Sequence, residues 1–395
     1  MKILLFAPFF PPDPTGSSVF AEQQTRELVR RGHEVLVVTN RSDRDAPRVN
    51  GEDRQLSVHG ASMVLRIRSF RLNFGHITWN YRIPVSFFGF IRDAARNRLR
   101  TFQPDCVIVH STLFDLSLLG MLWSIRHQKS CVIVAHTALW HDNSLVNALM
   151  RVYGKLLLRP LIKWAKAHVV CVDKWTLDNA RNLFAPMEGT STIPVSVNLG
   201  TMRNGDSQRV KEKHGLTSGP YILSLGHVVP LRDRLNLVRS LPLLIKQYPN
   251  LSVLIVGMVK DDRFLELADV LKVSRHITVC GAVPHSEIKD YLALADVETH
   301  DLNGRGLGIT SVEAMDAGVP IVAWAIDDNY PQFSLRSYGE SGFIDDGQPE
   351  TIAGMIDRIL SDNDYRSRVV ESQHRLVADI YSCESVTSQY LKLFS

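Results

Sequence analysis

The chain has 395 residues, which is long for a single domain and predicts two. Its 45% hydrophobic and 22% charged residues are ordinary for a globular enzyme and exclude a disordered or fibrous protein. The net charge of +4 conceals an asymmetry, because residues 1–200 carry +10 and the remainder carries −6. The basic half is therefore suited to an anionic surface.

The cysteines and the first residues point to a cytoplasmic protein. Five widely spaced cysteines form no CxxC pair, which predicts reduced thiols. The opening MKILLFAPFF has a short apolar run, is followed by PPDPTG and lacks a small-residue cleavage site, so we interpret it as a first strand. No run of about 18 apolar residues is present, so no membrane-spanning segment is predicted.

In the first half, apolar runs alternate with helical patterns. A strand at 3–7, a helix at 18–31 ended by Gly32, and a strand at 34–39 form a βαβ unit, which predicts a parallel sheet. Further buried strands are predicted at 106–110, 131–136 and 168–172. The segment IPVSVN (193–198) is interpreted as the crossing into a second domain.

The pattern then restarts and predicts a second α/β domain. Its strands are expected at 221–226, 252–257, 276–281 and in PIVAW (320–324), and its helices near 234–247, 285–295, 350–361, 363–379 and 386–394. We predict domains at 1–195 and 196–375, and a C-terminal helical segment at 376–395 that packs back towards the first domain. Two doubly wound domains place a ligand in a cleft at the carboxyl ends of their strands.

The segment NGRGLGITSVEAMDAGVPIVAW (303–324) is the strongest candidate binding site. Gly306 and Gly308 bring bare backbone to a helix that Thr310 or Ser311 would cap, and its N–H groups and dipole would suit a phosphate. A tight loop without a ligand is the alternative. Glu313 either completes a capping box with Thr310 or accepts hydrogen bonds from ribose hydroxyls.

These motifs resemble those of the retaining glycosyltransferases of family 4, which have the GT-B fold of two Rossmann-like domains facing across a cleft. The resemblance covers nearly the whole chain. It is carried by PFFPPDPTGSSVFAEQQTRELVRRGHEVLVVT, PDCVIVHST, VIVAHT, IPVSVN, LSLGHVVPLRD, ITVCGAVPHSEIKDYLALAD and EAMDAGVPIVA.

The resemblance implies donor-binding roles in the second domain. Glu313 matches a glutamate that binds the ribose. Arg305 stands where the family has a second glutamate near the donor sugar, which reverses the charge, and we expect Arg305 to be a catalytic residue. The remaining residues implied to bind the donor are His227, Arg232, Arg234, Gly281, Gly308, Ile309 and Thr310. His227 replaces the usual Arg, and Arg232 replaces the usual Lys and can grip a diphosphate. A solvated loop is the alternative for both arginines.

In the first domain, the resemblance implies catalytic roles for Gly16 and His136. Gly16 matches the first glycine of a family pair, whose second member is replaced by Ser17; the alternative is an ordinary turn before a helix. His136 matches a histidine that contacts the transferred sugar. His110 also ends a strand, but a lone histidine is often structural.

The resemblance implies a hexosyltransferase that needs no metal and no cofactor. The donor would be a UDP- or GDP-sugar, and the residues do not choose between them. Paired acids at 261–262, 327–328 and 345–346 are interpreted as solvated loops. The substitutions at Ser17, His227 and Arg305 and in IPVSVN keep a second hypothesis open, a non-catalytic partner with a decayed site. A sugar-nucleotide epimerase of the same fold ranks third.

Two basic segments predict a membrane surface as a partner. Residues 63–101 mix basic and aromatic side chains, and LMRVYGKLLLRPLIKWAKAH (149–168) mixes basic and apolar ones. The alternative for 149–168 is a buried helix with a charged outer side. Nucleic acid is not predicted, because no recognition motif is present. We expect a cytoplasmic enzyme, peripheral on the inner face of the cell membrane, with a lipid-linked or glycan acceptor.

Overall fold

The computed structural model describes residues 1–13, 15–41, 57–58, 62–73, 83–92, 99, 101–186, 188–232, 234–304 and 306–394. Arg305 and much of the basic segment 63–101 lie outside these residues. The chain divides into unit 1 (Met1–Ser196 with Cys383–Ser395) and unit 2 (Val197–Ser382). The predicted boundaries followed residues 195 and 375, and residue 375 lies inside a helix of unit 2.

Unit 1 is built on a sheet whose order is β10-β9-β8-β7-β1-β2-β4-β3. Its pairings are parallel except for β3 with β4. The strands are β1 Lys2–Ala7, β2 Glu34–Asn40, β3 Ser57–Val58, β4 Ser62–Ile67, β7 Cys106–His110, β8 Ser130–Ala135, β9 His168–Cys171 and β10 Thr190–Thr192; β5 Phe70–Leu72 and β6 Ile83–Val85 form a separate pair.

The first helix of unit 1 begins and ends where the sequence supplies caps. Thr15 caps the first helix by accepting from the Ser18 N–H, and Gly32 follows the last turn with φ of 83°. The helices are α1 Gly16–Arg30, α2 Phe87–Arg92, α3 Asp115–His127, α4 Ser144–Tyr153, α5 Arg159–Ala165 and α6 Lys174–Leu183, with a π-helix at Gly154–Leu158 between α4 and α5. They cover strands that are buried on both faces, as parallel sheets require.

Unit 2 is also an α/β unit, and it is built around a smaller parallel sheet of order β13-β12-β11-β14. Its strands are β11 Tyr221–Leu225, β12 Ser252–Val256, β13 Ile277–Gly281 and β14 Val297–Glu298, with a separate pair β15 Ala323–Trp324 and β16 Phe343–Ile344. Its helices are α7 Ser207–His214, α8 Leu235–Gln247, α9 Arg263–Val270, α10 Ile288–Leu294, α11 Ile309–Asp316, α12 Pro349–Ser361 and α13 Asn363–Leu376.

The C-terminal segment belongs to unit 1. After a π-helix at Val377–Tyr381, helix α14 (Cys383–Leu391) packs on α1, where Arg31 donates to Ser388 Oγ at 2.9 Å. Phe20 and Tyr390 are buried at this contact. None of the helices in the described ranges combines the length and apolarity that crossing a bilayer requires.

Candidate functional site

The carboxyl ends of β11, β12 and β13 meet at one edge of the unit 2 sheet. A side chain at Gly257, just after β12, would place its Cβ 2.3 Å from the Gly226 carbonyl oxygen, so only glycine allows this approach. The Gly257 N–H donates to the Gly281 carbonyl at 2.8 Å. Gly281, a predicted donor-binding residue, therefore lies at the same edge as the loop after β11.

That loop, residues 226–234, connects β11 to α8 and is stabilised by hydrogen bonds from the buried Arg234 side chain. The Arg234 side chain is 1% exposed and donates to the carbonyls of Arg232 (2.7 Å), Gly226 (3.1 Å) and Leu225 (3.4 Å). These contacts use its guanidinium inside the loop. Arg234 therefore shapes the 226–234 loop, and its donor contact stays a prediction.

His227 lies in the same loop and is fixed by the neighbouring backbone. The Met258 N–H donates to His227 Nδ1 at 3.0 Å. A neutral ring that accepts at Nδ1 carries its proton at Nε2. The contact with Met258 therefore fixes the proton of the neutral His227 ring at Nε2.

Arg232 reaches from the 226–234 loop to the start of α11. Its side chain is 47% exposed, and its Nε lies 3.9 Å from Asp301 Oδ1. A Cβ at Gly308 would lie 2.8 Å from Arg232 Nη1 and 3.2 Å from Nη2. The fold thus brings two predicted site residues from distant parts of the chain into contact.

Helix α11 begins at Ile309 with Gly308 as its N-cap, and no described side chain caps it. The predicted cap at Thr310 or Ser311 is wrong, because the helix starts earlier and both residues lie inside its first turn. Asp301 Oδ2 instead accepts from the Gly308 N–H (2.6 Å) and from Ser311 Oγ (2.9 Å). The first-turn amides and the helix dipole face outward beside the Arg232 guanidinium, which favours an anion.

A buried network of three ionisable residues lies beneath this helix start. His300 Nδ1 donates to Glu298 Oε1 at 2.7 Å, and its Nε2 lies 3.3 Å from Asp301 Oδ1. Burial alone raises the pKa of Asp301, but the charges of His300 and Arg232 and the hydrogen bonds from Gly308 and Ser311 outweigh it and hold that pKa below its ordinary value. The sequence analysis did not predict this network. The pattern that could have indicated it is VETHD, which places three ionisable residues at the end of a strand expected to be buried.

Glu313 projects from the second turn of α11. It is 2% exposed, its Oε1 lies 2.8 Å from His285 Nε2, and its Oε2 has no hydrogen-bond partner in the described part of the chain. The capping-box alternative is wrong, because Glu313 is the fifth residue of the helix and its carboxylate contacts His285. A buried carboxylate oxygen without a donor costs about 1–3 kcal/mol, so this atom is poised to accept from a ligand.

In unit 1, two histidines at adjacent strand ends form a relay with helix α1. His110 Nδ1 lies 2.9 Å from His136 Nε2, and His110 Nε2 lies 3.0 Å from Gln24 Oε1. Burial lowers the pKa of His136 to about 4 and holds that of His110 well below its ordinary value. Because Gln24 Oε1 only accepts, His110 carries its proton at Nε2 and accepts at Nδ1 from His136, which leaves His136 Nδ1 as an acceptor.

Gly16 is the first residue of α1. Thr15, beside it, caps the helix by accepting from the Ser18 N–H at 3.2 Å, so this helix start is closed where that of α11 is open. The contrast favours α11 over α1 as the phosphate site, and the catalytic role of Gly16 stays a prediction.

No His, Cys, Asp and Glu residues of the described chain gather into a metal-binding cluster. The five cysteines are free thiols, and burial raises the pKa of Cys131 to about 12. Arg305, predicted to lie near the donor sugar, is outside the described residues.

Two family profiles match the chain side by side. The profile described as Glycosyltransferase Family 4 matches residues 14–200, and the profile described as Glycosyl transferases group 1 matches residues 206–375. The second match contains the 226–234 loop, α11 and Glu313, and the first contains His110 and His136.

Curated relatives include lipid-modifying enzymes. The chain is 28% identical over 208 residues to the GDP-mannose-dependent alpha-(1-6)-phosphatidylinositol monomannoside mannosyltransferase of Mycolicibacterium smegmatis, covering 49% of this chain and 53% of that protein. It thus spans about half the length of that relative. It is 22% identical over 369 residues to the alpha-monoglucosyldiacylglycerol synthase of Acholeplasma laidlawii, covering 90% of this chain and 87% of that protein.

Solved structures share the fold. The chain matches Anabaena HepE in complex with UDP and glucose with a TM-score of 0.69 and 15% identity, covering 99% of this chain and 98% of that one. The predicted fold class, α/β of the GT-B type with two Rossmann-like domains, is confirmed.

Proposed function

This chain belongs to the retaining glycosyltransferases of family 4, group 1, and we propose that it moves a hexose from a UDP- or GDP-sugar to a hydroxyl of a lipid-linked or glycan acceptor. One observation carries the proposal: the uncapped start of α11, beside the exposed Arg232 guanidinium, lies on the helix that also carries Glu313 with its unpartnered Oε2. An anion site and a hydroxyl-binding carboxylate on one helix fit a nucleoside diphosphate.

The donor would bind with its pyrophosphate at the α11 start. The amides of Ile309 and Thr310 and the Arg232 fork would hold the phosphate oxygens, and Glu313 would accept from ribose hydroxyls. His227 adds an Nε2–H on the loop after β11. The Gly281 backbone, at the same sheet edge, leaves room for the nucleoside.

The reaction needs leaving-group stabilisation more than a side-chain base. The bond between the anomeric carbon and the phosphate oxygen breaks, and the acceptor hydroxyl oxygen bonds to the same face of that carbon. The acceptor proton passes to the departing phosphate oxygen. Negative charge therefore grows at the phosphate, where the helix dipole and Arg232 stabilise it most. We retain the prediction that no metal or cofactor takes part.

His136 is proposed to contact the transferred sugar. Its Nε2–H is committed to His110, so its Nδ1 would accept from a sugar hydroxyl. A histidine with a pKa of about 4 stays neutral at physiological pH. It therefore orients the sugar without adding a charge near the reacting carbon.

The relatives support an acceptor class, because they include a phosphatidylinositol monomannoside mannosyltransferase and an alpha-monoglucosyldiacylglycerol synthase. We propose a lipid-linked or growing-glycan acceptor for this chain, and a cytoplasmic enzyme held at the inner face of the cell membrane. Cell-surface polysaccharide or glycolipid synthesis is the corresponding role.

A non-catalytic partner with a decayed site is the second candidate, based on the substitutions at Ser17, His227 and Arg305. The retained Arg232, the open start of α11 and the unpartnered Glu313 oxygen favour the enzyme. An epimerase would release an epimerised nucleotide sugar without an acceptor.

The test is a thermal-shift panel of UDP, GDP and their sugars, followed by turnover with a lipid-linked acceptor. Free nucleotide at 100 times its Kd stabilises the folded state by about 2.7 kcal/mol. The shift is expected to vanish in Arg232→Ala and to persist in Arg239→Ala, a matched exposed arginine on α8. No shift with any nucleotide would overturn the proposal, and a shift without turnover would support the non-catalytic partner.

A further inference from the structure

The helical segment Ser144–Ala165 of unit 1 exposes an apolar stripe to solvent. Leu145, Leu149, Val152 and Leu156 follow one another at spacings of four, three and four, which places them on one face of the helix. All four are exposed, and Leu156 is 74% exposed. We call these four residues the outer stripe.

The opposite face of the same segment is packed in the core, so its orientation is fixed. Leu158, Leu161 and Ile162 are buried in the unit 1 core. Tyr153 packs against this core, and its hydroxyl donates to the Thr112 carbonyl at 2.8 Å. The alternative considered for 149–168, a buried helix with a charged outer side, describes only part of the segment, because its outward face carries large apolar side chains as well as cations.

Cations accompany the outer stripe. Arg151, Lys155, Arg159 and Lys163 recur every four residues, and all four are exposed. No acidic residue occurs between positions 144 and 168. Trp164, 69% exposed, lies near the C-terminal end of the segment. An apolar face with a line of cations beside it complements a surface that is apolar inside and anionic outside.

We infer that the outer stripe is a docking surface for an anionic phospholipid bilayer. The segment lies in the plane of the interface: the outer stripe enters the boundary between headgroups and acyl chains, and the four cations meet lipid phosphates. Trp164 is suited to the headgroup level, because indole is apolar with one N–H donor. The segment is interrupted by cations too often to cross the bilayer.

Charge complementarity favours a bilayer over a second copy of this chain. An isologous dimer through this face would bring the four cations of each copy together without acidic partners in the segment, which is repulsive. In unit 2, by contrast, exposed apolar residues such as Leu243 and Val270 stand on separate helices. They form no comparable stripe and provide matched controls.

Docking would hold the enzyme where a lipid-linked acceptor is found. In this respect the inference rests on the proposed function. The binding experiment itself needs neither sugar donor nor acceptor, so its failure would leave the transferase proposal intact. Conversely, if sugar transfer failed, a measured affinity for vesicles would still support the docking surface.

The test is flotation of the full chain with vesicles of zwitterionic phospholipid, with and without anionic phospholipid, at low and moderate salt. Wild-type protein is expected to float with anionic vesicles and to bind less as salt rises. Leu149→Gln with Leu156→Gln should lower partitioning by at least about tenfold, since two apolar side chains no longer leave water. Lys155→Ala with Lys163→Ala should lower it by about fivefold per cation.

The matched controls are Leu243→Gln with Val270→Gln, and Arg239→Ala with Lys246→Ala, all in unit 2. Both are expected to bind vesicles like wild type. Far-ultraviolet circular dichroism and urea unfolding of the outer-stripe variants report whether they remain folded. Wild-type protein that stays in the soluble fraction, or outer-stripe variants that float like wild type, would overturn the inference. A dimer that dissociates in these variants without vesicle binding would assign the face to a second copy.

Discussion

The guanidinium of Arg232 lies against the backbone of Gly308, where a Cβ would come within 2.8 Å of Nη1. Gly308 has φ of −80°, which any residue adopts, so the requirement for glycine is one of space and not of backbone conformation. The close approach places a cation at the N-cap of α11. Arg232 and Gly308, both predicted from the sequence to bind the donor, are thus in direct contact.

Gly308→Ala is therefore predicted to weaken donor binding without unfolding the protein. The half-exposed Arg232 side chain can move aside at little cost, but its fork then leaves the phosphate position. Loss of a charge-assisted contact predicts about a 10- to 100-fold fall in nucleotide affinity, measured by calorimetry. Gly354→Ala on α12, where no atom lies within 4 Å of the new Cβ, is the matched control. Unchanged affinity in Gly308→Ala would separate Arg232 from the donor.

Glu313→Gln is predicted to separate binding from stability. Gln keeps an acceptor for His285 and removes a buried negative charge whose Oε2 lacks a partner, so the free energy of unfolding should be unchanged or higher. Nucleotide affinity should fall about tenfold or more, because ribose hydroxyls lose a charged acceptor. Urea unfolding and calorimetry measure the two effects. Glu350→Gln, exposed on α12, is the control; a Glu313→Gln protein that is less stable and binds normally would indicate a structural role.

Much of the fold was predictable because its strands are continuous apolar runs. The predicted strand 106–110 coincides with β7, and the helix near 234–247 begins one residue later than expected. The cap of α11 was not predictable from local pattern. Thr310 and Ser311 are good capping residues, but the hydroxyl of Ser311 is used by Asp301, which follows another strand. Tertiary contacts of this kind override a capping preference.

The site was predictable only in part, for the same reason. Arg232 and Arg234 are alike in sequence, yet one is half exposed and the other is buried among carbonyls. Asp301 lies in no quoted motif, and His285 lies in one but was given no role; the importance of both follows from contacts with α11. The exposure of Leu149 and Leu156 likewise depends on which helix face the core covers, which composition does not specify.

Asp301→Asn is predicted to destabilise the protein in a pH-dependent way. The folded pKa of Asp301 lies below its ordinary 3.8, so its stabilisation is fully present above that value and is lost as the pH falls through the folded pKa. We expect the free energy of unfolding of the variant to be about 2 kcal/mol lower than that of wild type at pH 7. This difference should become smaller below about pH 4, and urea unfolding measures it. Asp345→Asn, in an exposed pair with Arg336, should show almost no deficit. A pH-independent deficit would contradict the assignment.

Arg305→Glu tests donor choice through charge alone. Arg305 stands where the family has a glutamate near the donor sugar, and an arginine there would pair with a carboxylate such as that of a uronic acid. We predict that wild type prefers an acidic sugar nucleotide and that the variant shifts the ratio of kcat/KM towards neutral sugars by about tenfold or more. Competition assays with matched neutral and acidic donors measure the ratio. An unchanged preference would remove the idea.

His136→Asn is predicted to make the protein less sensitive to acid. Burial lowers the pKa of His136 to about 4, whereas the unfolded chain binds this proton near pH 6.5. Its stabilisation is therefore complete above about pH 6.5 and declines as the pH falls towards 4, by up to about 1.4 kcal/mol per pH unit, because only the unfolded state gains the proton. Urea unfolding between pH 7 and pH 4.5 should show a shallower decline in His136→Asn than in wild type, and His127→Asn, at an exposed site, should decline like wild type. Equal slopes in all three proteins would show that the ring takes up its proton in the folded state, and the neutral relay from Gln24 through His110 to His136 would then be wrong.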